Sequence, residues 1–265
     1  MVKRIFLLVF GLILVIFSVL FWRQFSQTSL SHGRKTVILK INPLTIISWQ
    51  DNQELIYLTI PQNAYLQTSR GFGQYRISSL EELGRLENLD SKLLLETLRD
   101  LLGTPLDGIE ANLNWPDRLR LWYFRKNLSQ SKIRNLDLEK NNVFSPRTLP
   151  DESVVLVPDQ EKIDQLLADV FKDDLVTKEQ LTIEVLNASG QAGAGARAAR
   201  LIANLGTTVI SVNNNPQIIK QCQLHGNPNT LKSLTAQKIQ KMFACEIKSS
   251  KLEGSRSDLQ LIVTR

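Results

Sequence analysis

The spacing of apolar and polar positions divides the chain into unlike parts. Residues 5–22 form an unbroken run of eighteen uncharged residues, with Gly11 and Ser18 its only breaks in hydrophobicity. As a helix such a run would be about 27 Å long, close to the hydrocarbon thickness of a bilayer. Lys3 and Arg4 precede it, Arg23 closes it, and no small-x-small cleavage pattern follows. The pattern predicts an uncleaved, single-pass transmembrane helix within 1–23, with a cleaved signal or a buried core helix as the alternatives. A Ser/Gln/Thr-rich stalk over 24–35 comes next. The N-terminus is expected in the cytoplasm and the bulk of the chain outside the cell membrane. Arg23, Arg34 and Lys35 on the far flank make the charge bias for that orientation small.

Beyond the stalk the period changes. Residues 36–41, 45–49, 55–60 and 153–157 read as strands. Ser79 with Glu82 has the spacing of a capping box, which predicts a helix from Leu80. Asp90 or Ser91 can cap a second helix, in which Leu94, Leu95, Leu98, Leu101 and Leu102 recur at helical spacing and Gly103 is the stop. Ile163, Leu166, Leu167, Val170 and Phe171 mark a third. The polar segment 172–180 is the expected boundary of an α/β domain over 36–175 with partly parallel pairing. After it, strands at 182–187, 208–213, 218–224, 245–248 and 258–264 and helices at 195–205 and 231–243 predict a small α+β domain over 181–265.

Within that second domain, 182–206 is the most distinctive stretch, a strand, a glycine-rich turn and an Ala-rich helix. This arrangement often holds a phosphate, because free backbone N–H groups and the helix dipole point at the ligand. The glycines at 190, 193 and 195 read G-x-x-G-x-G, which is neither the dinucleotide order nor the P-loop order. No Lys-Ser/Thr pair follows, and the strand at 209–212 leads into three asparagines rather than an acidic residue. Tight-turn chemistry at Asn187 and the glycines, with small residues packing closely on a sheet, explains the pattern better.

Composition changes the picture little, with 43% hydrophobic and 22% charged residues, as in ordinary globular protein. Charge changes it more. Six cations lie between Trp115 and Arg134 (Arg118, Arg120, Arg125, Lys126, Lys132, Arg134) and only Asp117 opposes them, which accounts for most of the formal +6. Trp115, Trp122, Tyr123 and Phe124 are interleaved with these cations. Next to a membrane, such a segment suits lipid head groups, a polyprenyl phosphate or an anionic polymer, and nucleic acid is not expected outside the cell. The plainer alternative is an amphipathic helix with a core-facing aromatic side and solvated arginines. Cys222 and Cys245 are the only cysteines, and in an oxidising exterior they are expected to form a disulfide rather than remain two buried thiols. Catalytic groups are scarce. His32 and His225 are the only histidines, and neither HExxH, CxxC nor a serine elbow is present.

The block IEVLNASGQAGAGARAARLIANLG, the strand TTVISVNN and the closing DLQLIVTR resemble the C-terminal domain of LytR-CpsA-Psr envelope proteins over 181–265. The first domain resembles a decayed version of that family's catalytic domain. TIPQNAY (59–65) stands where the family has S-I-P-R-D-T, GFGQYRISS (71–79) resembles G-x-x-K-I-N, and LLGTPLDGIE (101–110) resembles L-L-G-I-P-I-D. TLPDESVVLVPDQEKIDQLLADVFKD (148–173) is similar to the end of that domain, and an anchor is what the family would have.

The resemblance implies lineage with enzymes that transfer polymers from a polyprenyl-phosphate carrier to peptidoglycan, using arginines and carboxylate-bound Mg²⁺. Here Gln62 replaces the motif arginine and Asn63 the aspartate, while Arg76 keeps a cation where the family has lysine. The later D-x-x-G-G-V segment has no counterpart in ANLNWPDRLRLWYF. Losing a guanidinium removes bidentate contacts to phosphate, and losing a carboxylate removes the metal. The expectation is therefore a membrane-anchored envelope protein without catalytic residues, resident metal or cofactor. It would bind a cell-wall polymer, a lipid-linked precursor or a partner protein through Arg76, Arg118, Arg120, Arg125 and Trp122. The competing expectations are a phosphotransferase with rearranged ligands, using Mg²⁺, and an interaction module whose first domain only positions the second. The oligomeric state is not legible.

Overall fold

The computed structural model describes residues 35–50, 54–250, 252 and 255–264. The expected anchor and the stalk as far as Arg34, with His32, lie outside these residues. Among the described residues, no helix is long and apolar enough to cross a membrane.

The first half is built on β1 (Thr36–Lys40), β2 (Thr45–Trp49) and β3 (Leu55–Thr59), joined later by β6 (Gly108–Ile109) and β7 (Ile133–Asp137). The sheet order is β6-β1-β2-β3-β7, antiparallel in the middle and parallel at β1–β6 and β3–β7. Alternate residues of these strands go to opposite faces. Val37, Leu39, Ile46, Ile56 and Leu58 enter one core with α1 (Leu80–Leu86), α2 (Lys92–Leu102) and α4 (Gln160–Leu167). Ile38, Ile47, Trp49 and Leu55 enter a smaller core on the other face, under α3 (Trp115–Asn127). Cores on both faces leave β2 buried at all five positions, Thr45 and Ser48 included, rather than buried and exposed in alternation. Two hairpins complete this half, β4 (Tyr65–Gln67) with β5 (Gln74–Arg76) and β8 (Phe144–Thr148) with β9 (Val154–Pro158).

The second half places β10 (Thr182–Asn187), β11 (Thr208–Asn214), β12 (Gln223–Gly226), β13 (Glu246–Ser249) and β14 (Leu259–Val263) in the order β11-β10-β14-β12-β13. Helices α6 (Ala194–Leu205) and α7 (Leu234–Phe243) pack on one face of this sheet, which makes a small two-layer domain of helices on a sheet. Its pairing is mostly parallel, through two crossovers, β10–α6–β11 and β12–α7–β13, with only β12–β14 antiparallel. Cys222 and Cys245 immediately precede the neighbouring strands β12 and β13, and the expected disulfide joins them.

Several local expectations change. Ser79 makes no side-chain cap bond, because it already has helical backbone angles in the turn of 3-10 helix at Ile77–Ser79, and Glu82 pairs with Arg85 instead. Ser91 does not cap α2 either, whereas Gly103 ends it in the left-handed conformation. The strand expected at 218–224 is displaced to Gln223–Gly226, and Ile218 is exposed in the preceding loop. His225 therefore sits within a strand. The polar segment 172–180 is a helix, α5 (Asp174–Glu179), with Val176 buried in the second core.

Polar contacts hold the two halves together. Asp173 is fully buried, caps α5, accepts from the Lys35 backbone N–H at 3.2 Å and meets Lys238 Nζ at 2.7 Å. Arg200 on α6 donates Nε to Asp164 on α4, and its Nη1 and Nη2 reach the carbonyls of Asp100 and Leu101 at 2.6 and 2.9 Å. These carbonyls end α2, so the guanidinium also complements the negative end of that helix dipole. Burial pushes the Lys35 ammonium below its ordinary range, against the pull of Glu54, Asp174 and Asp173.

Candidate functional site

α3 is the element that builds the candidate site. Asn114 precedes it, Pro116 supplies a preset φ in its first turn, and Leu128 leaves it in extended conformation. Asp117, Leu121, Phe124 and Leu128 recur on one side of the helix, of which Leu121, Phe124 and Leu128 pack onto the sheet residues Ile38, Ile47, Trp49 and Leu55. The basic and aromatic residues are left on the remaining faces. The core-facing aromatic side of the plainer alternative is found only at Phe124; Trp115, Trp122 and Tyr123 are exposed. The reason is geometric, because Leu121 and Phe124 already fill the surface that the sheet offers.

Beside α3 lies a cleft of about 890 Å³, lined by the end of β1, the turn after β6 and α3 itself. Ile41, Ile109, Leu113 and Leu121 give it an apolar floor, and Lys40, Arg118, Arg125 and Lys126 stand around it with Glu110 as the one lining carboxylate. Arg118 is held by a hydrogen bond from its Nη2 to the Ala111 carbonyl. The Arg125 guanidinium stacks 5.4 Å from the Tyr57 ring, and Lys126 lies 5.2 Å from the Trp122 ring. Both cations are thereby oriented by aromatic faces rather than neutralised by acids. Burial raises the Tyr57 phenol, with Arg125 pulling the other way and Glu110 adding to the rise. An apolar floor under a cationic rim can hold a molecule with an anionic head and a hydrocarbon body.

Of the five residues expected to bind, Arg118, Arg125 and Trp122 line this cleft together. Arg120 lies on α3 but is not a lining residue. Arg76 sits in β5, which joins the core on the opposite sheet face, and its Nη2 donates to Ser153 Oγ at 2.6 Å. The sheet separates it from Arg118, so Arg76 does not converge with the arginines of α3. Lys40 was missing from the expected set, although strand parity carried a usable signal: Lys40 is two residues from Ile38 and shares its face.

Elsewhere the chemistry is structural. Asn187 Oδ1 accepts from Ser189 N and Oγ, and its Nδ2 donates to the Gln191 carbonyl at 2.8 Å. Gly190 and Gly193 have φ of +71° and +78°, as turn chemistry requires. The amides of Ala188, Ser189, Gln191 and Ala194 are used within the fold, which leaves this turn a poor phosphate cradle. His225 bonds Ser250 and Gln223 through its two ring nitrogens, and burial, with Lys248 adding, holds it below its usual value. Gln62 and Asn63 are exposed in a turn whose carbonyls accept from Ser78 and Leu156. An amide pair there does not fit a Mg²⁺ site, and no group of three His, Cys, Asp or Glu that could hold a metal occurs among the described residues.

No curated protein and no solved structure matches the chain. Residues 180–265, the second sheet with its helices, match the family model described as the LytR cell envelope-related transcriptional attenuator, and so carry a cell-envelope-related LytR C-terminal domain.

Proposed function

We propose that this is a membrane-anchored, extracytoplasmic envelope protein that binds, without transforming, a lipid-linked anionic precursor of the cell wall. The segment 5–22 would anchor it, the unit over 36–175 would hold the ligand, and the unit over 181–265 would supply the envelope-type module. The single observation that carries this is the cleft beside α3, where Lys40, Arg118, Arg125 and Lys126 surround an apolar floor. A polyprenyl phosphate has the matching chemistry, a phosphate for the rim and a branched hydrocarbon for the floor. The degenerate first-domain motifs support binding without transfer, since Gln62 and Asn63 cannot replace a guanidinium and a metal-binding carboxylate.

A titration with farnesyl phosphate, followed by fluorescence of the tryptophans and repeated with farnesol and with inorganic phosphate, tests this. Saturable binding of the amphiphile and weak binding of each half alone is expected. Failure of farnesyl phosphate to bind removes the proposed ligand class. Mg²⁺-dependent turnover of a pyrophosphate-linked donor would move the protein into the transferase class instead.

A further inference from the structure

We propose that the outward face of α3 lies on the headgroup layer of an anionic phospholipid bilayer, which holds the mouth of the cleft at headgroup depth. Only the envelope location put forward above is needed for this, not the ligand of the cleft.

Trp115, Leu119, Trp122 and Lys126 follow one another at spacings of four, three and four residues, which places them on one line of the helix. Tyr123 is adjacent to that line. The four apolar members are between 43% and 64% exposed, directly opposite the line of Asp117, Leu121 and Phe124 that faces the sheet. α3 therefore has two apolar faces, and the fold uses only one. A cluster of two tryptophans, a tyrosine and a leucine exposed on a single helix face marks an interaction surface. Trp and Tyr are the side chains that suit a bilayer interface, with an apolar ring and a polar edge.

Charge points to the partner. Arg118 and Arg125 flank the aromatic line on the cleft side, Arg120 flanks it on the other, and Lys126 lies within it. The one carboxylate of α3, Asp117, is buried on the opposite side. A surface that is basic at its edges and aromatic along its crest complements an anionic headgroup layer. A second copy of the chain would bring these cations against one another in a two-fold contact. A wall polymer shares the negative charge, but a rounded helix offers no groove to stack sugars, and Leu119 gains nothing from a hydrated chain.

The full chain, reconstituted into vesicles, tests this with a nitroxide at Leu119→Cys and a control at Ile210→Cys on exposed strand β11. The native cysteines are bridged, so the introduced thiol is the only labelling target. In phosphatidylglycerol-containing vesicles the label at 119 should lose accessibility to an aqueous nickel complex and gain it to oxygen, while the label at 210 stays aqueous. The protection should disappear in phosphatidylcholine vesicles and at high salt. Tyr123→Cys should repeat the result. Equal aqueous accessibility at 119 and 210 on anionic vesicles overturns the proposal, as does equal protection of 119 by soluble polyglycerol phosphate without lipid. Farnesyl phosphate binding is read on the same samples: its loss with membrane protection retained counts against the cleft ligand alone, and the reverse counts against this surface alone.

Discussion

Replacing Arg200 with Ala removes one side chain that ties its own helix, α6, to two others, α2 and α4. Its Nε lies 3.0 and 2.9 Å from the two carboxylate oxygens of Asp164, and its remaining nitrogens bond the last carbonyls of α2. Arg200 and Asp164 are 23% and 37% exposed, so the pair is neither a free surface pair nor a dry one. Exposed pairs contribute about 0.2–1 kcal/mol and shielded charge-assisted bonds about 1.5–3 kcal/mol, so about 1–2 kcal/mol is reasonable for the pair. The two carbonyl contacts add roughly 0.5–1 kcal/mol each, discounted for access by water. The sum is about 3 kcal/mol, equivalent to a fall in melting temperature of roughly 6–12 °C for a protein of this size. Thermal unfolding followed by circular dichroism reads this directly, and hydrogen exchange should accelerate at the end of α2 and along α6. Arg200→Lys keeps the charge but lacks the planar fork, so it should recover less than half of the loss. A variant that melts within about 2 °C of the parent, with unchanged exchange in α2, would refute the view that this guanidinium ties the halves together.

Two other predictions concern the second half. Reducing the Cys222–Cys245 bridge, or replacing both residues with Ser, reopens a loop of 23 residues and should destabilise this half by about 3 kcal/mol, measured by urea unfolding with and without reductant. Glu184 is held below its usual range by hydrogen bonds from Gln260, Ser255, Ser211 and Asn213. Since its folded pKa lies below the unfolded one, the stabilisation is present above the ordinary carboxylate range and is lost as pH falls through the depressed value. Glu184→Gln should therefore flatten the acid limb of a stability–pH profile, and an unchanged limb would show that other carboxylates set it.

The parts that were legible in the sequence share a physical cause. The strands at 36–40, 45–49 and 182–187 and the helices around Leu98 and Ala198 declare themselves because hydrophobic burial imposes a period on each. The bridge between Cys222 and Cys245 followed from compartment and number. Segments whose structure depends on distant partners were not legible. Helix α5 is short and polar, and it is fixed by the burial of Asp173 against Lys35 and Lys238 rather than by its own pattern. The capping box failed because the chain enters α1 through a turn of 3-10 helix that already satisfies Ser79's backbone geometry. For the candidate site, α3 could be found from its charge and aromatic content. That Arg76 lies across the sheet from Arg118 could not, because side-of-sheet assignment needs the topology. Lys40 completes the cleft from a strand with no sequence proximity to α3.

The most direct measurement of the central claim is the preference for farnesyl phosphate over farnesol in the parent protein and in an Arg118→Ala, Lys40→Ala variant. Two charge-assisted contacts of about 1.5 kcal/mol each correspond to roughly a hundredfold preference for the phosphate. The account predicts that this preference collapses in the variant while farnesol binding on the apolar floor is unchanged. An intact preference in the variant, or none in the parent, would contradict it.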